Sequence, residues 1–130
     1  MRRYTRMMPS PRWSLLCLAF LLAGCGDDPA GTGETPPSSA AVNVGNVFFR
    51  SVHNGTMEPA VDTVAAGGTV TWTWIEIGTH SVRFADAGLS ESPAFTESGS
   101  VFSQAFPTAG TYPYDCGIHG PAMAGTIVVK

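Results

Sequence analysis

Alternating apolar and polar residues mark most of the chain after residue 40. The stretch TVTWTWI (69–75) places a valine and two tryptophans on one face and threonines on the other. This period of two is typical of a half-buried strand. HSVRF (80–84) alternates in the same way, with His80 on the apolar side. Further candidate strands are residues 42–49, 60–65, 100–106, 110–116 and 125–130.

These short segments predict an all-β fold. They are separated by turns rich in glycine and proline, and no stretch repeats its apolar residues every 3.6 positions as a helix would. Several such strands in one small domain favour a β-sandwich or barrel. In the strand predicted at 110–116, the inward side chains are expected to be Tyr112, Tyr114 and Cys116.

The N-terminal segment has a different character. It contains four arginines, an apolar run at 13–23 that is too short to span a bilayer as a permanent helix, and then LAGC. The segment reads as an export signal at 1–24, and LAGC resembles the lipobox of bacterial lipoproteins, which implies a lipid on Cys25. Residues 25–40 are rich in Pro, Gly, Ser and Thr and predict a flexible linker. The folded domain is then expected at 41–130.

The cysteine count makes Cys116 unusual. Of the three cysteines, Cys17 would be removed with the signal and Cys25 would carry the lipid, so Cys116 has no partner for a disulfide. A free thiol in an oxidising compartment is at risk of oxidation unless something protects or uses it. We therefore expect a specific use for Cys116.

Charge excludes one class of partner. Without residues 1–24 the chain has 106 residues, of which ten are acidic and three basic, a formal charge of −7. Nucleic-acid binding requires a positive surface. We therefore expect no nucleic-acid partner.

The use of Cys116 is suggested by its neighbours. His119 and Met123 follow within eight residues, which places a thiolate, an imidazole and a thioether close together. With a second imidazole this is the two-His, one-Cys plane with a weak axial Met that suits copper electron transfer. His80 is the better candidate for that imidazole, because it lies where a loop meets the core. His53 lies beside an Asn-Gly turn and is expected at the surface.

Each of these residues taken alone has a simpler interpretation. A single buried cysteine is usually inert, a loop histidine is usually solvated, and a methionine beside a strand usually packs in the core. The combination favours copper, because structural zinc sites use several Cys and His ligands and have little use for Met.

The motif YPYDCGIHGPAMAG, together with the upstream TVTWTW and THSVRF, resembles the plastocyanin-like cupredoxins across residues 42–130. The resemblance implies an antiparallel Greek-key β-sandwich, one copper ion cycling between Cu(I) and Cu(II), and single-electron transfer. It implies His80, Cys116 and His119 as equatorial ligands and Met123 as the axial ligand. Asp115 stands where plant plastocyanins have a tyrosine, so a plant-type partner route does not carry over.

Three functional classes follow. The first is an electron carrier in the periplasm or at the cell surface, anchored to a membrane through Cys25, monomeric, and served by redox partner proteins. The second is a copper storage or delivery module without a redox role. The third, an enzyme with further copper sites, is disfavoured because only His53 would remain for them. We also expect backbone N–H groups of Ser81 and Ile118 to donate to the Cys116 sulfur and favour Cu(I).

Overall fold

The computed structural model describes residues 33–130. The predicted export signal at 1–24 and the proposed lipid site Cys25 lie outside the described residues. The described part contains eight strands and no helix. They are β1 (Ser39–Gly45), β2 (Phe48–Ser51), β3 (Ala60–Val64), β4 (Gly68–Trp74), β5 (Arg83–Phe84), β6 (Val101–Phe106), β7 (Gly110–Cys116) and β8 (Gly120–Val129).

The strands form two four-stranded sheets, in the orders β2-β1-β4-β6 and β3-β8-β7-β5. Most neighbours are antiparallel, but β1 runs parallel to β4 and β3 runs parallel to β8. The predicted all-β sandwich is confirmed, with the added finding that each sheet is mixed. In both parallel pairs the two strands are not consecutive in sequence. The wider of the two gaps is between β3 and β8, the last strand.

The core lies between the sheets and follows the predicted alternation. Along β4 every second residue is buried, and Val70, Trp72 and Trp74 are fully buried. Tyr114 and Cys116 of β7 are buried in the same core. The ring of Trp72 packs edge-on against Tyr114 with centroids 5.3 Å apart. This aromatic packing fixes the two sheets against each other beside Cys116.

Three predicted strands differ from the observed ones by more than one residue. Residues 42–49 form a hairpin rather than one strand, because Asn46 and Val47 make a turn in which Val47 has a φ of 66°. In 80–84 only Arg83 and Phe84 are in a strand. The last strand begins at Gly120 instead of residue 125.

The first strand begins slightly before the predicted end of the linker at residue 40. β1 begins at Ser39, and the carbonyl groups of Pro37 and Ser38 accept hydrogen bonds from Ala65 and Thr69. The last residues of the predicted linker are therefore bound to the domain. Nowhere in residues 33–130 is there a helix with the length and apolar character needed to cross a membrane.

Candidate metal centre

His80 lies in the segment that joins β4 to β5 and is held in place by the segment that joins β5 to β6. Its backbone N–H and carbonyl both pair with Phe95, each at 3.0 Å. The imidazole is 1% exposed. A short two-way backbone bridge thus fixes a buried histidine at the end of the sandwich, although no regular strand includes it.

Cys116 and His119 come from the tight connection between β7 and β8. Cys116 is the last residue of β7 and pairs with Gly120, the first residue of β8. Gly120 has a φ of 60°, a conformation that glycine adopts without a steric penalty. A Cβ at Gly117 would lie 2.7 Å from the Ser81 hydroxyl, so any larger residue there would force the Ser81 side chain to move. These two glycines let His119 turn back toward Cys116.

The three side chains meet around one point. Cys116 Sγ lies 3.4 Å from His119 Nδ1 and 3.9 Å from His80 Nδ1. One ligand atom from each residue lies within 4.8 Å of the others, and no other group of three or more His, Cys, Asp or Glu residues in 33–130 does so. The two imidazole rings are 4.9 Å apart. The separation between sulfur and nitrogen suits two ligands of one ion.

A simple estimate tests this fit. With metal–sulfur and metal–nitrogen lengths of about 2.3 and 2.0 Å, as zinc has, ligands about 120° apart would place their atoms about 3.7 Å from each other. The observed separations of 3.4 and 3.9 Å bracket that value. The two-nitrogen, one-sulfur donor set is the set that suits copper. The residues present therefore fit a single copper ion.

Burial differs among the three side chains. His80 and Cys116 are almost or fully buried, whereas His119 is partly exposed and its neighbour Ile118 is 54% exposed. Burial lowers the pKa of His80, and the nearby His119 lowers it further, although the charge of Glu76 acts in the opposite direction. His80 is therefore kept neutral, which is the form that binds a metal.

The sulfur of Cys116 has a backbone donor. The N–H of Ser81 donates to Sγ at 3.5 Å, as expected from the sequence. Among residues 33–130 no matching bond from the N–H of Ile118 is recorded, and that part of the expectation stays a prediction. The turn is tied down elsewhere, because the N–H of Gly117 donates to the Ser81 hydroxyl at 3.0 Å. Ser81 thus contacts both Cys116 and the residue after it.

Met123 lies close to this turn. The register of β7 and β8 shifts between Asp115, which faces Ala124, and Cys116, which faces Gly120. Met123 lies inside the shifted segment and is fully buried. A bulge of this kind re-aims side chains near functional sites. Its burial continues the alternation of β8, in which residues 123, 125, 127 and 129 are buried, and the shift brings it beside the residues opposite Cys116.

The remaining sequence candidates lie elsewhere. His53 is exposed in a turn after β2, and Met57 is 50% exposed, so neither belongs to the cluster. Asp115 forms a two-pronged ion pair with Arg83. Sequence reasoning missed this pair and the hydroxyl role of Ser81, because both depend on the register of segments more than thirty residues apart.

A family model described as copper binding proteins of the plastocyanin/azurin family matches residues 50–130. The chain belongs to this family. It is 36% identical over 83 residues to a plastocyanin of Scenedesmus fuscus, a match that covers 56% of this chain and 85% of the relative. It is also 36% identical over 81 residues to a plastocyanin of Prochlorothrix hollandica, covering 56% of this chain and 62% of the relative.

Solved structures give the same assignment. A purple cupredoxin from Nitrosopumilus maritimus superposes with a TM-score of 0.55 at 26% identity, covering 70% of this chain and 99% of that one. The Cu(I) form of an amicyanin variant gives a TM-score of 0.54 at 29% identity, with coverage of 75% and 87%. This member of the plastocyanin/azurin family is therefore a plastocyanin-like cupredoxin. Its His80, Cys116 and His119 centre matches a single copper ion.

Proposed function

We propose that this cupredoxin is a type 1 copper protein that carries single electrons. In this proposal His80, Cys116 and His119 are the equatorial ligands and Met123 is the weak axial ligand. The observation that carries it is the convergence of two imidazole nitrogens and one thiol sulfur within 4.8 Å. The buried position of Met123 in the bulge opposite Cys116 supports the fourth assignment.

Bound copper would supply one-electron chemistry by alternating between Cu(I) and Cu(II). The residues of the chain supply the rigid surroundings. Cys116 ends a strand, His80 is fixed by its bridge to Phe95, and His119 is confined to a three-residue turn. Ligands held in this way move little when the charge of the site changes, which keeps electron transfer fast.

His119 is the natural point of entry and exit for an electron. It is the only one of the three clustered side chains with substantial exposure, since His80 is 1% and Cys116 0% exposed. The burial of Cys116 keeps water and oxidants from the thiolate. A redox partner that docks over the turn containing His119 would therefore approach the site most closely.

The same features favour a carrier over a storage or delivery protein. A protein that hands over its metal needs ligands that a recipient can reach, and two of the three clustered side chains are buried. We propose no catalytic role, because the chain has three histidines and only His53 lies outside the centre. The partners we propose are redox proteins, with the chain acting as a monomer.

The proposed location is a bacterial membrane surface that faces the periplasm or the exterior. It is supported by the basic and apolar N-terminal segment and by the LAGC sequence that ends at Cys25. A lipid at Cys25 followed by a linker would hold the copper domain near the membrane. Tethering raises the effective concentration of a carrier near membrane-bound partners.

Titration of the metal-free protein with Cu(II), followed by voltammetry, tests the function. One equivalent should give an intense blue colour from the thiolate bond, and the site should cycle reversibly by one electron. Cys116→Ser should abolish the colour, because an alcohol oxygen does not replace the thiolate. Colour that survives in Cys116→Ser would refute the ligand assignment. Metal lost on each reduction would favour storage or delivery.

A further inference from the structure

Arg83 and Asp115 form the one salt bridge found in residues 33–130. Arg83 Nε donates to Asp115 Oδ1 at 2.9 Å, and the terminal nitrogen donates to Oδ2 at 3.0 Å. The two residues are direct neighbours across β5 and β7. The planar guanidinium therefore grips the carboxylate at two points, which fixes its orientation as well as its distance.

The pair connects the two segments that carry the proposed ligands. Asp115 immediately precedes Cys116, and Arg83 follows His80 by three residues. β5 has only two residues at the edge of its sheet, so few backbone bonds hold it to β7. The side-chain pair adds a fixed contact between the His80 segment and the Cys116 strand.

A second carboxylate lies on the other side of Cys116. A Cβ built on Gly117 would lie 2.8 Å from Glu91 Oε1, so the Glu91 carboxylate rests against the backbone that follows Cys116. One carboxylate, Asp115, thus precedes Cys116 in the chain, and a second, Glu91, packs against the residue that follows it. Arg83 is the only arginine or lysine between residues 51 and 129.

The electrostatic environment of Arg83 agrees with this arrangement. Its pKa is raised chiefly by the hydrogen bonds and charge of Asp115, and Glu91 and Cys116 also contribute. The arginine side chain stays protonated in proteins with or without this shift in pKa. The guanidinium is therefore a permanent positive charge within electrostatic reach of both carboxylates and of the sulfur.

We propose that the Arg83–Asp115 ion pair is a redox-tuning element, in which Arg83 offsets the carboxylates of Asp115 and Glu91 that flank Cys116. This rests on the proposed electron-carrier function. A positive charge near the centre favours the form with the added electron and raises the reduction potential, and a negative charge lowers it. Arg83 thus keeps the potential from falling under the influence of its two acidic neighbours.

The test is voltammetry of the full-length, copper-loaded protein in low and high salt. Arg83→Gln should lower the potential, whereas Asp115→Asn and Glu91→Gln should raise it. Arg83→Lys keeps the charge without the two-pronged bond and should remain near the wild-type value. Arg50→Gln makes the same charge change on β2 of the other sheet, where Arg50 lies over Phe48, and serves as the matched control. All shifts should shrink as salt increases.

The possible results separate the two proposals. If the wild-type protein shows no blue colour or no reversible wave, the electron-carrier function itself fails. If the wild-type protein is blue and cycles reversibly, the tuning proposal can be judged separately. It fails when Arg83→Gln and Asp115→Asn move the potential in the same direction, or when they move it no further than Arg50→Gln does. Should Arg83→Gln not fold, Asp115→Asn and Glu91→Gln still test the tuning proposal, which requires both variants to raise the reduction potential. Unfolding of the metal-free variants reports any purely structural role.

Discussion

The backbone N–H of Ser81 donates to the sulfur of Cys116 across 35 residues of sequence. The Ser81 hydroxyl accepts a second hydrogen bond from Gly117, at 3.0 Å. Ser81 therefore joins the segment that contains His80 to the turn that contains Cys116 and His119. The two halves of the centre are held together by the protein itself, independently of any metal.

The hydroxyl bond can be removed alone. Ser81→Ala keeps the N–H that reaches Sγ but leaves the Gly117 N–H without its acceptor. We expect the free energy of unfolding to fall by about 1 kcal/mol, while the blue colour remains. Denaturant unfolding of the metal-free protein measures the change. Ser103→Ala, which removes an exposed hydroxyl contact with Thr71, is the control and should have a smaller effect. Equal losses in both variants would contradict the prediction.

His80 and His53 should behave differently when truncated. His80→Ala removes a buried imidazole whose Nδ1 lies 3.9 Å from Cys116 Sγ, so we expect altered colour and partial rescue by added imidazole. His53→Ala should leave the spectrum unchanged, because His53 is exposed in a turn. Visible spectroscopy with and without imidazole decides. A bleached His53→Ala variant beside an unchanged His80→Ala variant would reverse the assignment.

Met123→Leu tests the axial ligand. Leucine has nearly the same volume, so the core should remain packed. We expect the protein to keep copper and its blue colour, and the reduction potential to rise, because a weak donor that stabilises Cu(II) is lost. Voltammetry measures the shift, with the half-exposed Met57→Leu as control. A lower potential, or loss of the metal, would show that Met123 is not a weak axial ligand.

Buried Asp62 should make stability depend on pH. Ser51 donates to Asp62 Oδ1 at 2.6 Å, but Oδ2 has no partner among the described residues. Burial raises the pKa of Asp62 above its usual value of 3.8, although the Ser51 hydrogen bond and the charge of His53 oppose this. The folded state therefore holds a proton at pH values where the unfolded chain has lost it. Stability must then fall as pH rises through that interval.

Asp62→Asn removes this penalty. We expect it to flatten the decline in stability above the usual aspartate pKa of 3.8 and to stabilise the protein at neutral pH. Urea unfolding of the metal-free protein at a series of pH values measures both effects. Glu97→Gln, at an exposed carboxylate, should not change the profile. An unchanged profile in Asp62→Asn would show that Asp62 is ionised without cost.

The location rests on Cys25, which lies outside the described residues. Cys25→Ala should release the protein into the soluble fraction or leave it with an uncleaved signal. Lipid chains stabilise anchoring by about 0.8 kcal/mol per buried methylene, so the unmutated protein should fractionate with membranes. Mass spectrometry of the exported protein provides the direct check. A mature mass without lipid would refute the anchor and leave the copper site unaffected.

The sequence predicted those parts of the fold that depend on local alternation. The strand at 110–116 has the expected limits, and β4 buries the expected valine and tryptophans, because each signal lies within seven residues. The hairpin within 42–49 was missed because Val47 adopts a positive φ that β-branched residues rarely show. The local signal for this turn was the Gly45–Asn46 pair, residue types that favour turns.

The residues of the metal centre were predictable from the sequence to about the same extent as the strands. Cys116, His119 and Met123 are close in sequence, so residue type and spacing indicated them. The choice of His80 over His53 depended on which histidine adjoins the core, and the structure places His80 beside Cys116. The partners that surround these residues, including Arg83 and Ser81, depend on pairing across the sheet. Spacing alone contains no information about that pairing.

The parallel pairing of β3 with β8 has a consequence for how the chain folds. Val64 lies opposite Val129, so this pairing closes a long loop and requires the last strand of the chain. Non-local pairings of this kind slow folding, because the entropy of loop closure is lost before the contacts form. During that interval the Cys116 thiol is not yet enclosed by the sandwich. We expect the newly synthesised chain to pass through an oxidant-sensitive stage that ends only when β8 is in place.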